Sequence, residues 1–222
     1  MAKPSRTERK AKVKAADPEL KALRQQVANL AAQVRALNDQ AAIRDVLRRY
    51  ARGLDRHDVE LETSAFWPEG QVNYGFYSGQ RDDFVEWGND THQANYVRHE
   101  HHITTQTIDI DRDVAHVESY VIFFLRSRDE ASTHIGGARY IDRMERRGGE
   151  WRISVREFLP DIMIAANSIY AGDFARLMSP PSGEGTWDRN DLSYLRPLEP
   201  RPGPSTGQGV TKMPELPPPG SS

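Results

Sequence analysis

Leu20, Leu23, Val27, Leu30, Val34, Leu37 and Ala41 recur at alternating spacings of three and four, which lays one apolar seam along a helix at the heptad period. A seam of this kind needs a partner surface, either a second copy of the chain or the domain's own sheet. Valine and leucine at the seam positions suit two strands in an isolated coil, and an attached globular domain can impose another stoichiometry. Asp17 and Pro18 read as an N-cap followed by proline at the first helical position, so the predicted helix starts there. It runs on through IRDVLRRYARGLDRHD, where Ile43, Val46, Leu47, Tyr50 and Leu54 keep helical spacing up to Asp55. A shorter helical piece is expected around Val59 to Phe66, ended by Pro68 and Gly70, and QVNYGFYSG reads as a strand and turn. RDDFVEWGNDTHQANY is a second helix with Phe84, Val85 and Trp87 as its apolar side.

Beyond Tyr96 the period becomes two. RHEHHITTQTIDID, VAHVESYVIFFLRSRD, HIGGARYIDRMERR and EWRISVREFLPDIMI read as four long antiparallel strands, with turns at Asp111 to Asp113, around Asp129 to Thr133, and at Gly148-Gly149. Helices followed by a run of long strands imply an α+β domain whose helices cover one face of a curved sheet, leaving a pocket between them. A last helix is expected over Ala165 to Met178. The organisation expected is a basic N-terminus without fixed structure (1–16), a coiled-coil-like helix (17–39), the α+β domain (40–178) and a Pro/Gly-rich, mostly disordered tail (179–222). Within that tail TWDRNDLSYLRP carries Trp187, Leu192, Tyr194 and Leu195, which offer docking groups for the domain or for a neighbouring subunit.

Composition narrows the chemistry. The 30 basic and 32 acidic residues of the 222 nearly cancel and the central segment has no charged block, so nothing favours nucleic acid as a partner. No apolar run approaches the ~20 residues of a membrane span, and the basic start KPSRTERKAKVK lacks the apolar stretch of a secretory signal, so a cytoplasmic protein is expected. With no cysteine, catalysis rests on His, Asp, Glu, Tyr, Arg or Lys.

Three histidines fall within four positions of RHEHHITTQTI. On a strand His99 and His101 share one face and His102 takes the other; if Ile103 follows His101 inward, His101 is the pocket histidine of the adjacent pair. A surface histidine cluster and a metal site are the competing readings, the latter lacking a helical histidine pair and a carboxylate at matching spacing. Asp55 ends an apolar helical face where the macrodipole favours cations, so a histidine N–H partner would explain it, as would plain solvation in a turn. By alternation Arg156 shares a face with Arg152 and Ser154, opposite Trp151, Ile153 and Val155.

AAIRDVLRRYARGLDRHD, HHITTQTIDIDRDVAHVESY and GGARYIDRMERRGGEWRISVREF, in this order and spacing, resemble the SnoaL-like branch of the nuclear transport factor 2-like superfamily over roughly Gln40 to Ile164. The resemblance implies a cone-shaped α+β barrel with a deep, largely apolar pocket, no metal and no organic cofactor, in proteins that are commonly trimers. Trimer is therefore favoured over dimer for a homo-oligomer. In the family's lyases an Asp at the end of the first helix supports a His at the start of the long strand, which removes a proton from carbon. Asp55 and His101 match these positions, Tyr50 falls where a pocket tyrosine lies, and Arg156 where an arginine follows the W-x-I tryptophan. Thr105 departs from the asparagine usual in His-x-x-Thr-Asn, and VIFFLRS places Phe123, Phe124 and Leu125 where some dehydratases carry a second acid. The leaving group's proton would then come from Tyr50, from His101, or from His92, which is expected to face solvent.

The expected function is a cofactor-independent lyase or isomerase acting on a hydrophobic, ring-containing small molecule. His101 would be the base, Asp55 its orienting partner, Tyr50 a hydrogen-bond donor and Arg156 a stabiliser of negative charge. The alternatives are a non-catalytic ligand binder, a structural subunit resembling the ring-hydroxylating dioxygenase β subunit, and an assembly protein acting through its coiled coil. Phe66, Trp67, Tyr74, Phe76, Trp87 and Tyr120 are expected to line or close the pocket.

Overall fold

The computed structural model describes residues 6–129, 132–167 and 186–194. Helix α1 (Arg6–Asp55) is followed by α2 (Val59–Thr63), β1 (Phe66–Asn73), β2 (Ser78–Gln80), α3 (Arg81–Asn95), β3 (Tyr96–Asp111), β4 (Val114–Ser127), β5 (Ser132–Arg147) and β6 (Glu150–Asn167). A single 3-10 turn spans Leu192–Tyr194. The helix begins at Arg6 instead of at Asp17, so Pro18 lies inside it and residues 6–16 are helical. Lys, Arg, Glu and Ala dominate that stretch and are strong helix formers, and Pro18 removes only one N–H donor.

The chain divides into two compact units, residues 1–42 and 43–222. In the first, Leu20, Leu23, Val27, Leu30, Val34 and Leu37 are 46–67% exposed, so the heptad seam is uncovered. In the second, the apolar face predicted for the end of α1 is buried: Ile43, Val46, Leu47, Tyr50 and Leu54 pack with Phe84 and Val85 of α3 against inward residues of β4, β5 and β6. Gly53 lets α2 approach α1 closely, because a Cβ there would lie 2.4 Å from the Glu62 backbone nitrogen.

The six strands form one mixed sheet in the order β2-β1-β6-β5-β4-β3. The four long strands form the antiparallel meander that the period of two predicts, while β1 joins β6 in parallel. The β5–β6 turn uses Gly148 and Gly149 at φ of 60° and 88°, where a side chain would be strained. Bulges between β1 and β6, β3 and β4, and β5 and β6 bend the sheet around the helices. Its edge strands β2 and β3 are not paired with each other, so the cone is open along one side.

One bulge corrects the sequence reading of Arg156. Arg143 pairs with Val155 while Met144 pairs with Ile153, which leaves Ser154 as an extra residue on β6. The phase of alternation therefore slips by one, and Arg156 joins Trp151 and Ile153 on the buried face. At the far end β6 continues through 165–167 where a helix was expected, and the remainder of that predicted helix lies outside the described residues.

Candidate active site

Asp55 is the last residue of α1, and its carboxylate grips His101 on β3 by two atoms. Oδ2 accepts the His101 backbone N–H at 3.0 Å, and Oδ1 accepts from the ring Nδ1 at 2.7 Å. Two contacts from one carboxylate fix both the position and the rotation of the imidazole. In the neutral ring the proton then sits on Nδ1, and Nε2 carries a free lone pair. The side chains are only 15% and 7% exposed, so water competes little for the pair.

The neighbouring histidines form a second chain. The Leu54 carbonyl can only accept, so the 2.9 Å contact requires a hydrogen on His99 Nε2. Neutral His99 is left with a bare Nδ1, which accepts from His92 Nδ1 at 3.1 Å. Burial, reinforced by the nearby imidazoles, pushes both His92 and His99 down to about 3, so they stay neutral. His92 is thus part of the cavity wall and not a solvent-facing residue as the sequence reading had it. Docked behind them, Trp187 places its ring 4.9 Å from His99 and 4.5 Å from His57. Tyr194 of the same segment donates to Asp58 at 2.8 Å and lies under Arg52, so this part of the tail docks on the domain. Leu195 lies outside the described residues.

His101 lines a cavity of about 400 Å³ with Tyr50, Leu54, Glu62, Tyr74, Phe76, Phe84, Trp87, Gly88, Thr91, His92, Tyr96, Phe123, Leu125, Tyr140, Phe158 and Met163. The wall is mainly aromatic, with a few polar groups, which suits a flat apolar ligand held by one or two directed contacts. Of the aromatics expected at the pocket, Tyr74, Phe76 and Trp87 line it. Phe66 is buried core, Tyr120 is exposed on the sheet, and Trp67 donates to the Glu145 carbonyl beneath Arg147 and Arg152. Gly136 is required by this wall, since a Cβ there would meet the Phe123 ring at 2.0 Å.

Tyr50 and Tyr74 share a hydrogen bond at 2.9 Å. Burial raises the pKa of Tyr50, Tyr74 and Tyr140, so all three stay neutral. Arg156 is fully buried and makes two 2.7 Å hydrogen bonds to Asp142, which is itself fully buried. Its guanidinium lies 4.2 Å from the Tyr50 ring centroid and 4.1 Å from that of Tyr140. Arg156 does not reach the cavity surface; it touches the two tyrosines that do. Among the described residues its Nη1 has no hydrogen-bond partner. The structure therefore brings His101 and Tyr50 to one cavity, holds His101 with Asp55 from behind the wall, and sets Arg156 behind the tyrosines.

Sequence reasoning missed Glu62, His99, Tyr140 and the buried role of His92. His99 was signalled by its period-two spacing from His101. Glu62 had no such signal, for α2 is only five residues long and shows no usable periodicity. Among the described residues no group of three or more His, Asp or Glu is placed to hold a metal ion, and no helix is long and apolar enough to cross a membrane.

The SnoaL-like domain family model matches residues 35–157, more than half of the chain. The chain belongs to the SnoaL-like domain family. The matched stretch runs from the end of the seam to just beyond Arg156 and so includes Tyr50, Asp55, His101 and Arg156, while Phe158 and Met163 of the cavity wall lie beyond it. Solved structures with the same fold as this SnoaL-like domain include a presumed scytalone dehydratase from Novosphingobium aromaticivorans. That protein is 23% identical with a TM-score of 0.54, over 62% of this chain and 97% of its own. A type 2 hexachlorocyclohexane dehydrochlorinase is 17% identical with a TM-score of 0.59, over 63% of this chain and 97% of its own. The type 3 dehydrochlorinase from Novosphingobium barchaimii is 17% identical with a TM-score of 0.55, over 60% and 94%. A search of curated proteins found no significant match.

Proposed function

We propose that the chain is a cofactor-independent lyase or isomerase that removes a carbon-bound proton from a hydrophobic, ring-containing small molecule. The observation that carries this reading is the two-point grip of Asp55 on His101, which leaves Nε2 as a bare base on an aromatic wall. His101 takes the proton, and the Asp55 carboxylate stabilises the imidazolium that forms. Whichever of Tyr50 and Tyr74 accepts from the other keeps its own hydroxyl hydrogen to donate to a carbonyl or leaving oxygen, and Arg156 positions Tyr50 and Tyr140 from behind. The dehydratase and dehydrochlorinase named among the structural neighbours are consistent with elimination chemistry on this fold.

Asp55→Asn tests the grip. The His101 backbone N–H can only be met by the amide oxygen, which turns the amide NH2 toward the ring Nδ1. The ring then accepts at Nδ1 and carries its proton on Nε2, so the base is lost while shape and packing persist. A nitro-substituted benzisoxazole, opened by removal of one carbon-bound proton, serves as an apolar ring probe. We expect ring opening by the wild type and a loss of roughly 100-fold or more in Asp55→Asn, within the range for general-base catalysis. Equal rates for the two proteins would refute the assignment.

We further propose that the exposed seam pairs α1 with α1 of another copy. Six large apolar side chains at heptad spacing are too exposed for an isolated helix to leave in water. In sedimentation equilibrium Leu30→Glu together with Leu37→Glu is expected to lower the mass from oligomer to monomer; an unchanged mass would show that the seam has no such role.

A further inference from the structure

Proton abstraction by His101 leaves one buried acid of the cavity without a role. Glu62 lies on α2, is 1% exposed, and forms part of the same wall as His101. The single hydrogen bond its side chain makes among the described residues comes from Asn89 Nδ2 to Oε2 at 2.9 Å. Asn89 is itself fixed by donating to the Val85 carbonyl at 2.8 Å, so Glu62 is held by a rigid partner on α3. The close contact of α2 with α1 at Gly53 fixes the backbone and Cβ of Glu62. Asn89 asks for one acceptor oxygen and leaves the other oxygen free to carry a proton.

An elimination with an oxygen leaving group needs two proton transfers, one from carbon and one to oxygen. His101 serves the first, and a buried carboxylic acid on the same wall has the chemistry of the second. We propose that Glu62 is the general acid of this site, donating its proton to the leaving oxygen while His101 removes the proton from carbon. The proposal rests on His101 being the base, and it names the substrate class as ring compounds that lose an oxygen leaving group. In the balanced step the C–H electron pair forms the new double bond and the C–O bond breaks. Hydroxide or alkoxide takes the Glu62 proton and departs as water or alcohol. The site is left with imidazolium and Glu62 carboxylate, and transfer of one proton between them restores it.

The protonation state fits that role. Burial lifts the Glu62 carboxyl to about 8, against the lowering effects of Asn89 and of Arg156 on β6, with Asp55 on α1 adding to the rise. Tyr50, also on α1, is a further titratable neighbour, and His57 interacts with the same Asn89. Glu62 is therefore mostly protonated at neutral pH. Because its folded-state pKa is raised, the native protein binds a proton that the unfolded chain releases above the ordinary glutamate range. Stability from this group is complete at acid pH and is lost as pH rises to about 8.

The test uses the full chain, the isosteric Glu62→Gln variant, and two benzisoxazoles that differ in the basicity of the departing phenoxide oxygen. The unsubstituted compound needs a proton donor more than the nitro-substituted one. Glu62→Gln is expected to lose roughly 10-fold or more additional rate on the unsubstituted compound relative to the nitro compound. The same loss on both compounds would overturn the assignment of Glu62 while leaving His101 in place. Rates on both compounds that survive His101→Ala, or a wild type that opens neither, would overturn the underlying base reading and this role with it. A second readout does not depend on turnover. Infrared difference spectra between Glu62→Gln and wild type should show the C=O stretch of a protonated carboxyl at neutral pH, titrating near 8. A carboxylate band there would overturn the acid role.

Discussion

His101→Ala will lose about 100- to 10,000-fold in the opening of the nitrobenzisoxazole, while the protein still folds. The size follows from removing the imidazole that Asp55 orients and stabilises as imidazolium, while burial and neighbouring imidazoles hold His92 and His99 down to about 3, too weakly basic to replace it. Folding should survive because Asp55 keeps its 3.0 Å contact with the backbone N–H at position 101, which the substitution does not remove. The lost side-chain hydrogen bond costs about 1–3 kcal/mol, less than the total stability of an ordinary domain. Circular dichroism and thermal melting establish the folded fraction, and stopped-flow absorbance gives the rate per folded molecule. Retention of the wild-type rate would remove His101 from the chemistry.

The largest stability effect is expected at a residue that sequence reasoning did not single out. Asp142→Ala leaves the Arg156 guanidinium buried among Tyr50, Tyr140 and Phe66 with no counter-charge. Arg156 cannot shed its proton to escape, because Asp142 and the surrounding tyrosines hold its pKa well above the ordinary arginine value even though burial opposes charge. Breaking one side of such a pair costs roughly 3–5 kcal/mol, a large share of the ~5–15 kcal/mol that keeps a domain folded. Replacing both partners with apolar residues, Asp142→Leu with Arg156→Met, removes the orphaned charge and should regain most of the loss. Urea unfolding at unchanged slope measures both variants. If Asp142→Ala unfolds at the wild-type midpoint, the ion pair is not what holds the tyrosine wall in place.

The sequence carried more of the site's chemistry than of its wall. Asp55 stood out because a carboxylate at a helix C-terminus opposes the macrodipole, but solvation in a turn explained it equally and the resemblance to the SnoaL-like lyases supplied its histidine partner. Alternation put His99 and His101 on one face of the strand, and the choice of His101 came from the resemblance to the SnoaL-like lyases. Arg156 was misassigned by the same rule, for Ser154 is an unpaired extra residue that resets the phase and nothing in RISVREF marks it. Glu62 was invisible because its burial comes from the approach of α2 to Gly53 and from Asn89 on another helix, contacts that no local period encodes. The four-strand meander emerged from its turns, whereas the parallel pairing of β1 with β6 is a long-range choice made by packing. The early start of α1 was hidden because Pro18 reads as a first-turn residue yet lies inside the helix.

If Asp55 sets the tautomer of His101, Nε2 is the ring nitrogen left to act as the base. Long-range proton–nitrogen NMR on the histidine rings reads this directly in the wild type and in Asp55→Asn. The predicted result is a neutral His101 protonated at Nδ1 with a bare Nε2, switching to the opposite tautomer in Asp55→Asn. A ring that carries its proton on Nε2 in the wild type, or one that ignores the Asp55 substitution, would contradict it.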